Sequence, residues 1–263
     1  MPVNKRLLFF LIGSLLISFS LCAQEEADIV AEEIPGKSPF SFQIESDFYS
    51  RYVWYGMAAS VGPVWQPSAS VSLHGFKFTA WGNFVLDDEP NQGQFNEIDL
   101  ILSYETSLRK LGLFFSLEGD LYPNGNPKSL DASSATLKTN ARFTYPAGPL
   151  IIFADFAGLF VSVEGGLYGD AGVEWKKDLS EKFSVDTWLL FGTGDEKFNR
   201  THIADVGTRP NLVDYALLFS WKPSRHWKLT PTFRVSRVLF EPARAVRSGR
   251  TQVWGGIGII YLF

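Results

Sequence analysis

Thr251-Gln252-Val253-Trp254-Gly255-Gly256-Ile257-Gly258-Ile259-Ile260-Tyr261-Leu262-Phe263 is the last stretch of the sequence, and its alternation decides how the rest is read. Val253, Gly255, Ile257, Ile259, Tyr261 and Phe263 fall on one face of an extended segment, with the two-residue period of a strand rather than the 3.6-residue period of a helix. The same period recurs towards the N-terminus and breaks at turn residues. It predicts strands over 40–52, 64–74, 76–87, 95–106, 110–121, 136–145, 150–160, 166–177, 182–193, 212–222, 226–237 and 250–263. In 212–222, Val213, Tyr215, Leu217, Phe219 and Trp221 alternate with Asp214, Ala216, Leu218, Ser220 and Lys222. In 95–106, Ile98, Leu100, Leu102 and Tyr104 alternate with Glu97, Asp99, Ile101, Ser103 and Glu105. The stretch 150–160 alternates poorly around Asp155, which makes 136–160 the least regular pair. Each run is close to the ~9–11 residues of a tilted membrane strand plus some overhang.

The connections fall into two classes. His74-Gly75, Ser107–Arg109, Pro146–Pro149, Asp178–Glu181 and Pro223–Arg225 are tight turns, and between them lie the longer segments 53–63, 88–94, 122–135, 161–165, 194–211 and 238–249. Short turns alternating with long loops mark a membrane barrel, with the turns on the periplasmic side. Aromatic residues cluster near strand ends, among them Phe40, Trp65, Phe95, Tyr145, Trp175, Trp221, Trp227, Tyr261 and Phe263, as interfacial girdles do. The expected fold is all-β: a transmembrane antiparallel up-and-down β-barrel of about twelve strands. A soluble lipocalin-like barrel would share the alternation with its polarity reversed, apolar side chains inside, and alternation by itself does not choose between the two.

The two ends add an address. Lys5 and Arg6 precede an apolar run from Leu7 to Leu21, and Cys22-Ala23 offers small residues for cleavage, so residues 1–23 have the layout of a cleaved signal peptide. Cys22 would suit a lipoprotein, but Phe19-Ser20-Leu21 ahead of it fits that processing pattern badly. Residues 24–39 are acidic, contain Pro35 and Gly36 and read as a flexible leader, and residues 40–263 form one domain. The final strand, ending on Tyr261 and Phe263, resembles the C-terminal signature that bacterial barrel-assembly machinery reads. The expected location is therefore the bacterial outer membrane, with lipid, that machinery and small solutes as partners.

Chemistry is sparse. With Cys22 cleaved away no disulfide or thiolate metal site remains, three histidines leave little for a metal, and no phosphate-binding glycine loop occurs. No cofactor, metal or nucleic-acid partner is expected. A twelve-stranded barrel type with phospholipase activity prompts a search for a nucleophile and base. His74 sits at a turn, His202 lies in an external loop near Asn199 and Thr201, and His226 follows a turn, so all three read as surface histidines and no catalytic residue is assigned. Inward-facing charge is plentiful by contrast. Glu97, Asp99, Lys138, Arg142 and Arg234 are the candidate pore-lining residues, beside Glu45, Asp47, Glu118, Asp120, Asp170 and Glu174. Such charges either pair across strands or line a solute path.

Ser46-Asp47-Phe48-Tyr49-Ser50-Arg51-Tyr52-Val53-Trp54-Tyr55-Gly56 resembles the opening of the TorF-type porins and related outer-membrane proteins. Gln66–Val71, Gly75-Phe76 through Trp81-Gly82, and Glu97–Leu100 with Ser103-Tyr104 extend the likeness over roughly the first four strands. The resemblance implies a porin-like barrel. It also implies Arg immediately before Gly56, where this chain has Tyr55, which would remove a fixed positive charge from the lumen. The leading expectation is a channel for passive diffusion of small polar or charged solutes. The alternatives are a closed barrel acting through loops 122–135 and 194–211, and an outer-membrane enzyme acting on lipid.

Overall fold

The computed structural model describes residues 40–124, 135–159, 165–241 and 249–263. The signal, the leader and most of loops 122–135, 161–165 and 238–249 lie outside the described residues. The strands are β1 (Phe40–Tyr49), β2 (Tyr52–Trp54), β3 (Met57–Ser60), β4 (Val64–Leu73), β5 (Phe76–Val85), β6 (Gln94–Leu108), β7 (Leu111–Leu121), β8 (Ala135–Ala147), β9 (Leu150–Leu159), β10 (Gly166–Asp178), β11 (Phe183–Gly194), β12 (Arg209–Trp221), β13 (Trp227–Val238) and β14 (Thr251–Leu262). One helix, α1 (Glu196–His202), lies between β11 and β12.

Twelve strands close into an antiparallel barrel in the order β1-β14-β13-β12-β11-β10-β9-β8-β7-β6-β5-β4, with β4 back against β1. The expected all-β barrel is thus the observed one, and strands 136–145 and 150–160 pair as expected despite their weak alternation. The seam between the first and last strands is fully paired, from Gln43↔Leu262 to Tyr49↔Gly256. Turn chemistry sets the register at one end. At the β4–β5 turn His74 and Gly75 both take positive φ, 48° and 82°, as a two-residue hairpin turn matched to strand twist requires.

The distribution of polarity answers the question that alternation leaves open. Outward positions carry large apolar side chains in the open: Phe78 at 50%, Leu102 at 49%, Phe191 at 59% and Phe219 at 49% exposure. Inward positions carry buried amides and charges, including Gln66, Asn83, Asn96, Glu97, Asp99, Lys138 and Asp214. This is a lipid-facing barrel turned inside out relative to a soluble one. Aromatic pairs run along the turn end of the outer surface. Phe76 and Tyr104 have ring centroids 4.6 Å apart, Trp227 and Tyr261 4.8 Å, and Phe42 and Phe263 4.9 Å.

Two elements at the loop end depart from expectation. Within 53–63 the chain forms the β2–β3 hairpin, and within 194–211 it forms α1, where open loops were anticipated. The helix is locally specified: the Asp195 carboxylate accepts from the Phe198 N–H at 2.7 Å as an N-cap, and Asn199 Nδ2 donates to the Gly194 and Gly207 carbonyls. Both elements carry large apolar side chains, and these pack together in the barrel mouth. Arg substituted for Leu102, at mid-strand on the outer face, is expected to cost about 2–4 kcal/mol. Urea unfolding in lipid vesicles measures this, and Arg at Ile101, one residue earlier and facing the lumen, should cost clearly less.

Candidate functional site

The inward faces of the strands form a polar lumen whose side chains are organised into local networks. Near the loop end, Gln66 Nε2 donates to Asn83 Oδ1 at 2.8 Å, and Asn83 Nδ2 donates to Asn96 Oδ1 at 2.7 Å. Next to this amide chain, Asp99 stands directly opposite Asp120 across β6–β7. Glu97 joins them, so the three present carboxylate oxygens within 4.8 Å of one another. Tyr122 donates its hydroxyl to Asp120 at 3.1 Å. Three carboxylates could supply only part of the roughly six to eight oxygens that a calcium ion takes.

Farther round the wall the charges pair. Lys138 Nζ lies 2.5 Å from Glu118 Oε1, with both side chains about nine-tenths buried. Arg142 bridges two carboxylates, Nη1 to Asp155 at 3.1 Å and Nη2 to Glu174 at 3.6 Å. Arg234 Nη2 reaches Asp214 Oδ1 at 3.0 Å, and Asp214 also accepts from the Trp188 indole N–H and the Ser236 hydroxyl. The Arg234 guanidinium lies between the Trp188 and Trp254 rings, 5.4 Å and 5.0 Å from their centroids. Stacking and ion pairing together hold this arginine in one place.

All five candidate residues therefore face the lumen, but the structure gathers them into separate groups. Glu97 and Asp99 share one cluster with Asp120, while Lys138, Arg142 and Arg234 each belong to a different pair. Sequence reasoning passed over Asp155 and Asp214, the partners of Arg142 and Arg234. Asp155 was hidden in an apolar run, and only its parity with Arg142 in the β8–β9 register exposes its direction. The aromatic lumen residues Phe114, Phe153, Trp188 and Trp254 were equally invisible, because an inward aromatic and an outward one look alike in a sequence.

The lumen mouth is narrowed by packing. The tip of the β2–β3 hairpin crosses from β1 to the far wall, where the Tyr55 ring lies 4.2 Å from Tyr168 on β10 and 5.3 Å from Phe198 on α1. Trp54 packs on Phe198 and on His202, at 6.0 Å and 4.8 Å. With Met57, Ile203, Leu212 and Val238 they form the main apolar core of the described residues. Gly56 permits the crossing: it takes a φ of 79°, and a Cβ there would stand 2.6 Å from Leu212 Cδ1. Gly166 similarly seats α1, since a Cβ would stand 2.6 Å from the Phe198 nitrogen. His202 is accordingly not the surface histidine expected from sequence. It is 3% exposed, because its helix docks into the barrel rather than extending into solvent. His74 is exposed, as expected, whereas His226 is only half-exposed, its Nδ1 lying 2.8 Å from the Leu262 carbonyl and its ring stacking on Tyr261.

At the sequence level, no family model and no curated protein matches the chain. Solved structures do match its fold. One described as the KdgM porin is 12% identical with a TM-score of 0.52, over 84% of this chain and 99% of its own. The NanC porin is 9% identical with a TM-score of 0.51, over 84% and 98%. An outer-membrane channel from Pseudomonas putida F1 is 9% identical with a TM-score of 0.52, over 85% and 95%. At these identities the likeness concerns the fold alone, a closed antiparallel β-barrel.

The buried ion pair offers a direct check on the lumen wall. Glu118→Ala is expected to destabilise the barrel by about 3–5 kcal/mol by leaving the Lys138 ammonium without this carboxylate, whereas replacing both residues by Gln and Met should recover much of the loss. Urea unfolding of the single and double variants measures both.

Proposed function

We propose that the chain is a porin-like channel of a bacterial outer membrane, through which small polar or charged solutes diffuse passively. The observation that carries this reading is the inverted polarity. A lumen lined by Gln66, Asn83, Asp99, Arg142, Asp155 and Asp214 lies inside a surface of Phe, Leu, Ile and Val. Charge inside a barrel is sustained by pairing and by water, and a water-filled lumen is a path. The fold likeness to the KdgM and NanC porins supports the same conclusion.

On this reading the short turns face the periplasm and the hairpin and α1 narrow the external mouth. Tyr261 and Phe263 present the final strand to the barrel-assembly machinery. Glu97, Asp99, Lys138, Arg142 and Arg234 line the solute path with their partners. The TorF-type relationship belongs to this proposal and rests on the segment 46–56 and its companions. No chemical step is assigned: His202 is held among Trp54 and Phe198, and His74 and His226 lie at turns on the opposite end of the strands.

The packing of Trp54, Tyr55 and Phe198 across the mouth favours a second reading, a barrel closed at rest that acts through its external loops. Conductance separates the two. The refolded protein in planar bilayers is expected to show discrete openings of small size. Replacing 52–60 by a short Gly-Ser turn should enlarge them several-fold, because the aromatic crossing is removed. A pure, folded barrel that never conducts, with or without the hairpin, would overturn the channel reading.

A further inference from the structure

A cavity of about 420 Å³ lies in the lumen against the inner faces of β7–β10, capped by the tip of the β2–β3 hairpin. Its wall combines two chemistries. Tyr55, Phe114 and Tyr168 supply rings, and Arg142, Asp155 and Asp170 supply charge. A volume near the lower end of the roughly 300–1,000 Å³ of small-molecule sites admits about one ring with a short chain.

The sign of the site follows from who is paired with whom. Arg142 is the cation of this wall, and it is engaged on three sides: by Asp155 at 3.1 Å, by Glu174 at 3.6 Å and by the Phe153 ring 4.2 Å from its guanidinium carbon. Asp170 stands directly opposite Asp155 across β9–β10. Two carboxylates facing each other across a strand pair repel. Among the described residues no ion pair includes Asp170; its side chain reaches Asp155 and Tyr168, while its buried Oδ1 is left without a well-aligned hydrogen bond. The hydroxyl of Tyr168, two residues away on the same face and 3% exposed, lies within hydrogen-bonding reach of the Asp170 carboxyl. One guanidinium is thus shared among three carboxylates, and the one that no ion pair includes, Asp170, lies beside aromatic rings.

We propose that this cavity is a binding station for small organic cations, solutes that join an ammonium group to an apolar or aromatic body, and that the channel prefers cations to anions. The inference rests on the channel reading and deepens it. An ammonium donates to Asp170 Oδ1 and relieves the repulsion with Asp155, while the rings of Tyr55 and Phe114 take the body of the solute. An anion has to draw Arg142 away from Asp155 and Glu174, leaving those carboxylates unpaired in the wall.

The experiment uses the full-length refolded protein in planar bilayers, with two probes of the same size and opposite charge, 2-phenylethylammonium and phenylacetate. A potassium chloride gradient should give a reversal potential of cation-preferring sign. The ammonium probe should block the current at a concentration about tenfold below that of phenylacetate, about 1.4 kcal/mol of discrimination. Asp170→Asn should remove most of that difference, and Tyr55→Leu, which keeps the apolar bulk and loses the ring, should weaken the ammonium block alone. An anion-preferring reversal potential, equal block by the two probes, or a block unchanged in Asp170→Asn overturns the proposal. If potassium chloride carries no current at all, the channel reading fails instead. Quenching of tryptophan fluorescence by the ammonium probe in detergent, absent in Asp170→Asn, then decides the station separately.

Discussion

Everything in this structure depends on closure of the sheet. In hydrocarbon an unpaired backbone N–H or C=O costs several kcal/mol, so a strand-built membrane protein cannot leave an edge. The β1–β14 seam removes it, and its pairing extends to the last residue, where the Phe263 N–H donates to the Phe42 carbonyl at 3.0 Å. Glycine makes the approach possible: a Cβ at Gly256 would stand 2.2 Å from the Phe48 carbonyl oxygen. Once the sheet is closed the strand period becomes a rule for the whole chain, since each residue must satisfy either lipid or lumen.

The lumen then inherits a problem that the exterior does not have. Its side chains are crowded together with less water around each than at an open surface, and there an unpaired charge is expensive. The chain meets this with short-range pairing along neighbouring strands: Lys138 with Glu118, Arg142 with Asp155 and Glu174, Arg234 with Asp214. Lys138 and Glu118, like Arg142 and Asp155, are direct cross-strand partners, so the register that closes the barrel also sets its electrostatics. Where the register opposes like charges, at Asp99↔Asp120 and Asp155↔Asp170, the wall is left locally acidic.

The barrel itself was legible because one physical rule repeats through every strand. Residues 212–222 and 95–106 declare both faces, and even the irregular 150–160 is fixed by its neighbours once pairing is sequential. The plug was not legible. Trp54, Tyr55 and Phe198 carry no local periodicity that says what they touch, because their partners Tyr168, Leu212 and Val238 lie on strands far away in sequence. The pairs Arg142–Asp155 and Arg234–Asp214 were half-visible: the cations stood out, while Asp155 was masked by apolar neighbours.

Tyr55 links the two halves of the structure. The resemblance at residues 46–56 implies a cation immediately before Gly56, and this chain places an aromatic ring there, at a φ of 44°. The ring completes the apolar packing of the mouth against Tyr168 and Phe198, and it also forms one wall of the cavity beside Asp155 and Asp170. A guanidinium in that position would stand among these carboxylates and cancel part of their surplus. With tyrosine the carboxylates keep their surplus and gain a π face beside it, which is the pairing that a cation recognises. The same residue thus packs the barrel mouth and adds a π face to the acidic wall of the cavity.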